Sequence, residues 1–282
     1  MWIKISLREI SPSVVVAYRV TFGLLFGAGF ILVKHISLPG KFSDWKPLLI
    51  LGITNLAIPF YLISWGERSI DSSVAAILDA TFPLFTILIA HFLLDDDKMT
   101  VPKVFGLLIG FVGVVILLSK DIGASRSSIL GEAAVIIASI FYAGSTVYLR
   151  RTTQTVHSIL GSAGPLLSAS FVMWLMTFFT EKSVQLPKLP LTWIALLFLG
   201  VIGSGFAFTM EFYLIHKIGP TKTSMVTYIY PLGGVILGIA FLHEQITWQL
   251  PCGAIFIIAS LVVANLHPKY ANIFKWLGTE ED

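Results

Sequence analysis

Residues 70–84 read IDSSVAAILDATFPL, and residues 218–232 read IGPTKTSMVTYIYPL. Ile70 and Ile218, Pro83 and Pro231, and Leu84 and Leu232 all stand 148 positions apart. The same offset of 148 relates Trp45 to Trp193, Gly52 to Gly200, and Asp96 to Glu244. The register holds without a gap through three apolar segments of each half, so the chain reads as a duplication. Each quoted stretch lies in a long apolar run, and each carries a proline inside that run. A proline there withholds one backbone N–H and permits a kink.

Composition says what kind of duplication this is. Hydrophobic residues make up 56% of the 282 and charged residues only 12%, against roughly 25% charged in a soluble domain. Mean hydropathy is +0.85. That is too little charge to cover a water-facing surface, and a bilayer core takes roughly 20 apolar residues as helix. Helices are expected because lipid offers backbone amides no partner. The expected segments are Pro12–Val33, Trp45–Trp65, Ser72–Leu94, Pro102–Ser119, Ile129–Tyr148, Val156–Phe179, Trp193–His216, Thr221–Leu242 and Thr247–Leu266. Ser11-Pro12, Asp71-Ser72 and Gly219-Pro220 are expected helix starts.

The fold class is therefore an all-α membrane protein of two inverted five-helix repeats. Residues 1–122 form the first repeat, 127–267 the second, and 268–282 a cytoplasmic tail. An odd number of spans turns the second copy upside down. Inverted repeats are a recurring plan of secondary transporters, with the substrate held between the halves. At the offset of 148, helix 129–148 maps before residue 1, and only Trp2-Ile3-Lys4 matches its end, Tyr148-Leu149-Arg150. Nine full spans are expected, with the first helix mostly missing and an open groove in its place.

The net charge of +3 calls for no nucleic-acid partner, and the lone Cys252 excludes an intrachain disulfide. No cleavable signal peptide is expected before the first apolar run. Eleven Lys and Arg residues fall in loops on one side and seven on the other. The bias places the C-terminus in the cytoplasm of a multi-pass cell (inner) membrane protein. His91, His157, His216 and His243 lack metal-ligand spacing. No phosphate-binding loop or nucleophile triad is present, so neither metal nor cofactor is expected.

The run from Gly131-Glu132 to Tyr142-Ala143, ending at Arg150-Arg151, resembles the opening helix of a repeat in the EamA-type drug/metabolite transporter family. Ala17-Tyr18-Arg19 resembles its second-helix arginine motif. Asp71–Pro83 and Gly219–Pro231, followed by Asp96 and Glu244, resemble its fourth and ninth helices. The resemblance spans about residues 2–266. It implies ten helices in two inverted repeats that move small organic metabolites.

Charges inside spans are costly and mark cavities or partners. Arg19, Asp79 and Glu211 are the three here. Asp79 shares a stripe with Ser72, Ala76, Pro83 and Thr86, and its repeat-mate is Thr227. Glu211 follows Gly200, Ser204 and Ala207, and Arg19 shares a face with Gly23 and Gly27. The expected substrate-binding set is Asp79, Glu211, Asn55, Thr227, Tyr142 and Tyr228, with Tyr230 as a further aromatic wall. Glu211 is expected to protonate during the cycle or to meet a cationic part of the substrate. Arg19, Pro59, Pro83 and Pro231 are structural or gating candidates, and Pro165 is a fourth intrahelical proline. Ion pairing that fixes helix packing is the competing role for the charges, and static bends for the prolines. Arg19 and Asp79 each lie seven residues into a helix from the same face. That puts both at a depth of roughly 10 Å and makes a pair possible.

Gly106, Gly110 and Gly113 form a close-packing stripe, read as an intramolecular contact. A homodimer is compatible with it but not required. The run Asp95–Asp97 reads as a solvated loop. The expected function is secondary transport of small organic metabolites, amino-acid-like or drug-like, by alternating access. The expected partners are that substrate and the bilayer. The alternatives are a membrane-embedded lipid-modifying enzyme using Asp79, Glu211 or the aspartate run, and an inactive truncated transporter.

Overall fold

In the computed structural model the described residues of the apolar segments expected from the sequence are mainly helical. The structure describes residues 1–38, 41–95, 98–119, 126–154, 156–181, 186–242 and 247–264. The side chains of Leu117, Leu118, Arg126, Ser127, Met225, Tyr228, Ile229, Pro231, Leu232 and Leu261 are also outside that description. The elements are α1 (Trp2–Ser6), α2 (Pro12–Lys34), α3 (Phe42–Gly66), α4 (Ser72–Leu93), α5 (Val101–Leu118), α6 (Arg126–Thr152), α7 (Ser158–Thr180), α8 (Pro190–Ile218), α9 (Pro220–Ser224), α10 (Ile229–Leu242) and α11 (Gln249–Ala264). No strand occurs among the described residues. Six helices are long and apolar enough to cross a membrane: α2, α3, α4, α6, α7 and α8. Shorter apolar helices cover Val101–Ile116, Gly233–Leu242 and Gln249–Ala264.

Helix ends follow local chemistry. Pro12 opens α2 after an extended Ser11, where a missing N–H costs nothing. The expected side-chain cap does not form; Ser11 Oγ bonds Ser13 Oγ at 3.0 Å instead. Gly219 ends α8 at φ +87°, a conformation open to glycine at no steric cost, and Pro220 starts the next helix.

Two of the four interior prolines fall at helix breaks. Pro83 has no N–H for the Asp79 carbonyl, and α4 is interrupted between Asp79 and Phe82. Its counterpart Pro231 has none for the Thr227 carbonyl. There the chain passes from α9 into a single 3₁₀ turn, Met225–Tyr228, before α10. Pro165 sits inside a continuous α7. Upstream of Pro59, α3 widens to a π-helix over Gly52–Ala57, and α8 does so over Phe198–Phe206. Hydrophobic spacing does not reveal these π segments, which occur often at functional sites.

Both π segments lie where a helix crosses the other half of the chain. A side chain at Gly52 would meet the Pro165 carbonyl of α7, and one at Gly200 would meet Phe22 and the Arg19 carbonyl of α2. So α3 packs on α7 and α8 packs on α2. The core at this junction joins Val16, Ala17 and Val20 of α2, Leu56 and Phe60 of α3, and Leu166 and Met173 of α7. A second core joins α4, α6 and α11 through Ile77, Leu78, Val135 and Ile257. Gly106, Gly110 and Gly113 of α5 press on Ser260, Ile257 and Ala264 of α11, so the small-residue stripe is an intramolecular contact.

Candidate functional site

Between α2, α3, α4, α6, α8 and α10 lies a cavity of about 610 Å³. This falls within the range of small-molecule sites, roughly 300–1,000 Å³. Its lining includes exposed Met210, Val226 and Tyr230, so it communicates with the exterior. It also reaches Met1–Ile3, because Trp2–Ser6 is a short helix laid on α8 with the Trp2 ring 5.4 Å from Phe198.

Five of the expected residues converge there: Arg19, Asp79, Tyr142, Glu211 and Thr227. Tyr230, the further aromatic, lines it as well. Tyr228, Pro231, Asp96, Glu244 and the 268–282 tail lie outside the described residues or side chains. Pro59 and Pro83 are buried next to the site, not on its wall.

Asp79 sits at the α4 break and accepts a hydrogen bond from Ser139 Oγ of α6 at 3.4 Å. Thr227 Oγ1 donates to the Ser224 carbonyl at 2.7 Å within its own turn. Glu211 makes no hydrogen bond or ion pair among the described residues, though Asp79 is near enough to repel it. Arg19 and Asp79 do not form an ion pair. Arg19 Nε donates to Ser204 Oγ at 2.9 Å and Nη2 to the Gly203 carbonyl at 3.2 Å. Its guanidinium carbon lies 3.5 Å from the centre of the Phe60 ring, a cation–π contact that desolvation strengthens. The π segment of α8 presents Gly203 and Ser204 to it, while Gly23 and Gly27 let α2 close on Gly200 and Ala163. Arg19 and Asp79 therefore share the cavity, but the arginine's partners come from α8 and from Phe60 of α3.

An aromatic wall surrounds the charges. Phe60 meets Tyr142 at 6.5 Å and Phe208 at 5.6 Å, and Phe82 meets Tyr142 at 5.9 Å. Sequence reasoning missed Phe60, Phe82 and Phe208, because an aromatic in an apolar run looks the same on either face. It also missed Glu67, which lines the cavity, is 5% exposed, and accepts from Ser72 Oγ at 3.2 Å. Glu67 follows Gly66 at the very end of α3, beside Arg68, where a charge reads as interfacial.

Asn55 is not on this cavity. It lies behind Glu211, on a small cavity of about 10 Å³ shared with Gly161, Ser162 and Pro165. Beyond it, Leu51, Leu149, Phe212 and Ile215 form a buried apolar plug. Arg150 Nη1 latches over that plug, donating to the Ile215 and His216 carbonyls at 3.1 and 2.8 Å. Of the aspartate run, Asp95 is an exposed residue with Lys98 Nζ at 3.4 Å, and Asp96 and Asp97 lie outside the described residues. Among the described residues no group of His, Cys, Asp and Glu is placed to hold a metal.

The EamA-like transporter family matches residues 1–119 and 129–266. The uncharacterized transporter YoaV of Bacillus subtilis (strain 168) is 26% identical over 264 residues, 92% of this chain and 88% of that protein. The uncharacterized inner membrane transporter YedA of Escherichia coli (strain K12) is 28% identical over 248 residues, 86% of this chain and 79% of that protein. A protein of known crystal structure shares the fold at a TM-score of 0.72 and 19% identity, with 94% of each chain covered. A multi-pass helical chain with an internal cavity, matched along nearly its whole length, belongs to the EamA-like transporter family.

Proposed function

We propose that this membrane transporter is a secondary carrier of small organic metabolites, amino-acid-like or drug-like. It works by alternating access between two inverted five-helix repeats. The repeats are residues 1–122 and 127–267, with nine spans and a cytoplasmic tail at 268–282. The relatives' names point to transport and not to lipid modification.

The observation that carries the reading is the cavity itself. It runs past Asp79 and Glu211 to the buried Glu67 and Ser72, its exposed wall is Met210, Val226 and Tyr230, and the buried plug of Leu51, Leu149, Phe212 and Ile215 lies beyond Glu211 on the far side of the small cavity. A cavity with an exposed wall on one side and a buried apolar plug beyond its charged residues on the other fits one state of alternating access. The reciprocal crossings at Gly52 and Gly200 support two related halves that rock against each other. Carboxylates outnumber the one guanidinium on the wall, which favours a substrate bearing an amine. Arg19 Nη1 has no hydrogen bond among the described residues and suits a substrate carboxylate. Phe60, Phe82, Tyr142 and Phe208 suit an apolar body. Asp79, Glu211, Thr227, Tyr142 and Arg19 are the proposed binding residues.

The test is uptake of labelled amines and amino acids into proteoliposomes. Asp79→Asn and Glu211→Gln are expected to lower uptake while the protein stays folded. Turnover of labelled lipid with no flux of any solute would replace the carrier by an enzyme.

A further inference from the structure

Glu211 touches two cavities. One face lines the large one, and the other lines the small cavity of about 10 Å³ that holds Asn55. Asn55 is 4% exposed, and its Oδ1 has no hydrogen-bond partner among the described residues. Glu211 has none either. Ser162 Oγ, also on this wall, spends its proton on the Gly205 carbonyl at 3.2 Å. Pro59 and Pro165 have no N–H, so the Asn55 and Gly161 carbonyls lack the usual donor four residues on. Asn55 Oδ1 is thus a buried acceptor without a donor beside a carboxyl that has no protein partner, and a buried acceptor left unmet is costly.

The dimensions select the donor. A cavity of about one probe sphere has room for a single water, which needs at least two polar partners. A bare cation would want a shell of oxygens, but the rest of this wall is Leu51, Leu56, Leu149, Phe208 and Phe212. We propose that Asn55 and Glu211 hold one water between them. Through this water Glu211 exchanges its proton with the end of the bundle that the plug closes. The role in proton exchange rests on the carrier reading above; the water site does not.

The step balances simply. Once the plug opens, the Glu211 carboxylic acid passes H⁺ to the water as the water passes one of its own protons outward, leaving a carboxylate and a neutral water. The charged and titratable groups facing Glu211 are Asp79 of α4, Tyr142 of α6 and Tyr230 of α10, and Arg19 of α2 and Glu67 of α3 line the same cavity farther off. Toward the small cavity, α3 and α7 offer only Asn55 and Ser162. Protons entering from the large cavity therefore meet several groups before Glu211, and protons leaving the other way meet the water first and, past the plug, His216, whose ring stacks on Phe212 at 4.7 Å, and Arg150.

The experiment is pH-difference infrared spectroscopy of the full chain in lipid, joined to flux measurements. The Glu211 carboxyl band is the one that Glu211→Gln removes. Asn55→Leu fills the small cavity and should shift that band to higher frequency, as a lost hydrogen bond requires. Asn55→Ala leaves room for water and should keep it near its wild-type position. If Asn55→Leu does not accumulate, Asn55→Val fills the same space with less bulk. In proteoliposomes Asn55→Leu should cut uptake driven by a pH gradient by roughly tenfold or more, yet spare solute exchange at equal pH. An unmoved band in Asn55→Leu overturns the water site, and so does the same shift in Leu and Ala or the lack of any band removed by Glu211→Gln. A shifted band with equal losses of driven uptake and exchange overturns the proton route. Absence of flux for every solute overturns the carrier reading and the proton route with it, while the band still decides the water site.

Discussion

Alanine at Gly52 or Gly200 is the sharpest perturbation of the architecture. A Cβ at Gly52 would lie 1.8 Å from Ser168 Oγ and 2.2 Å from the Pro165 carbonyl oxygen. Ser168 can turn away only by giving up its bonds to the Leu49 and Pro165 carbonyls, at 3.0 and 3.1 Å. The Pro165 oxygen belongs to a continuous helix and cannot turn. Ordinary carbon contacts start near 3.5 Å, so α3 and α7 must part by about 1 Å. A Cβ at Gly200 would lie 2.4 Å from Phe22 Cβ and 2.8 Å from the Arg19 carbonyl. Overpacking of this kind costs about 1–3 kcal/mol, with Gly52 at the upper end. At Gly144 and Gly29 a Cβ meets nothing within 4 Å, so alanine there gains up to about 1 kcal/mol of helix propensity. The gap between Gly52→Ala and Gly144→Ala should be about 2–4 kcal/mol. Denaturant titration in mixed micelles, followed by tryptophan fluorescence, reads it directly. The expected order of stability is Gly144→Ala, then Gly200→Ala, then Gly52→Ala. Equal midpoints for all three would refute the close crossings. Gly200→Ala should also disturb Arg19, whose carbonyl it strikes, and so lower transport more than its stability loss explains.

Three further outcomes are expected. Because Arg19 is held by Ser204, Gly203 and Phe60, exchanging Arg19 and Asp79 should not restore the folded yield that Arg19→Ala loses; recovery measured by size-exclusion yield would reinstate the pair. Glu211→Gln should flatten the pH dependence of transport in a folded protein, and an unchanged pH profile in an active variant would remove Glu211 from proton exchange. Glu9, between α1 and α2, accepts from the Thr192 side chain and from the Lys188 and Leu189 amides at the start of α8, and these hold its carboxyl below its ordinary value of 4.5. A lowered folded value means stability that is present above 4.5 and lost as pH falls through that value toward the folded one. Glu9→Gln should therefore remove part of the acid sensitivity of unfolding, and identical pH–stability curves would argue against the cap.

The apolar segments were legible because length and hydropathy suffice for a helix in lipid. The breaks at Asp79 and Thr227 were legible because a proline withholds a donor four residues downstream. The convergence of Asp79, Glu211, Tyr142 and Thr227 followed from the cost of placing polar groups on lipid. Helix adjacency is not written in one sequence, so depth alone brought Arg19 to Asp79 while α8 holds it. Asn55 was placed with the substrate set because a span gives no sign of which side of Glu211 a residue takes. Glu67 escaped for lying at a helix end. The π segments escaped because one added residue per turn leaves no mark in hydrophobic spacing, although the 148-residue match of Gly52 and Gly200 marked where they fall.

The central claim is that one cavity serves both faces of the membrane in turn. Val226 lines that cavity and is exposed within it. With Cys252 replaced by serine, Val226→Cys in oriented vesicles can be challenged with a membrane-impermeant thiol reagent from either side. The account predicts labelling from both sides, with substrate gradients shifting the balance between them. Labelling from one side alone, under every gradient and solute tried, would contradict it.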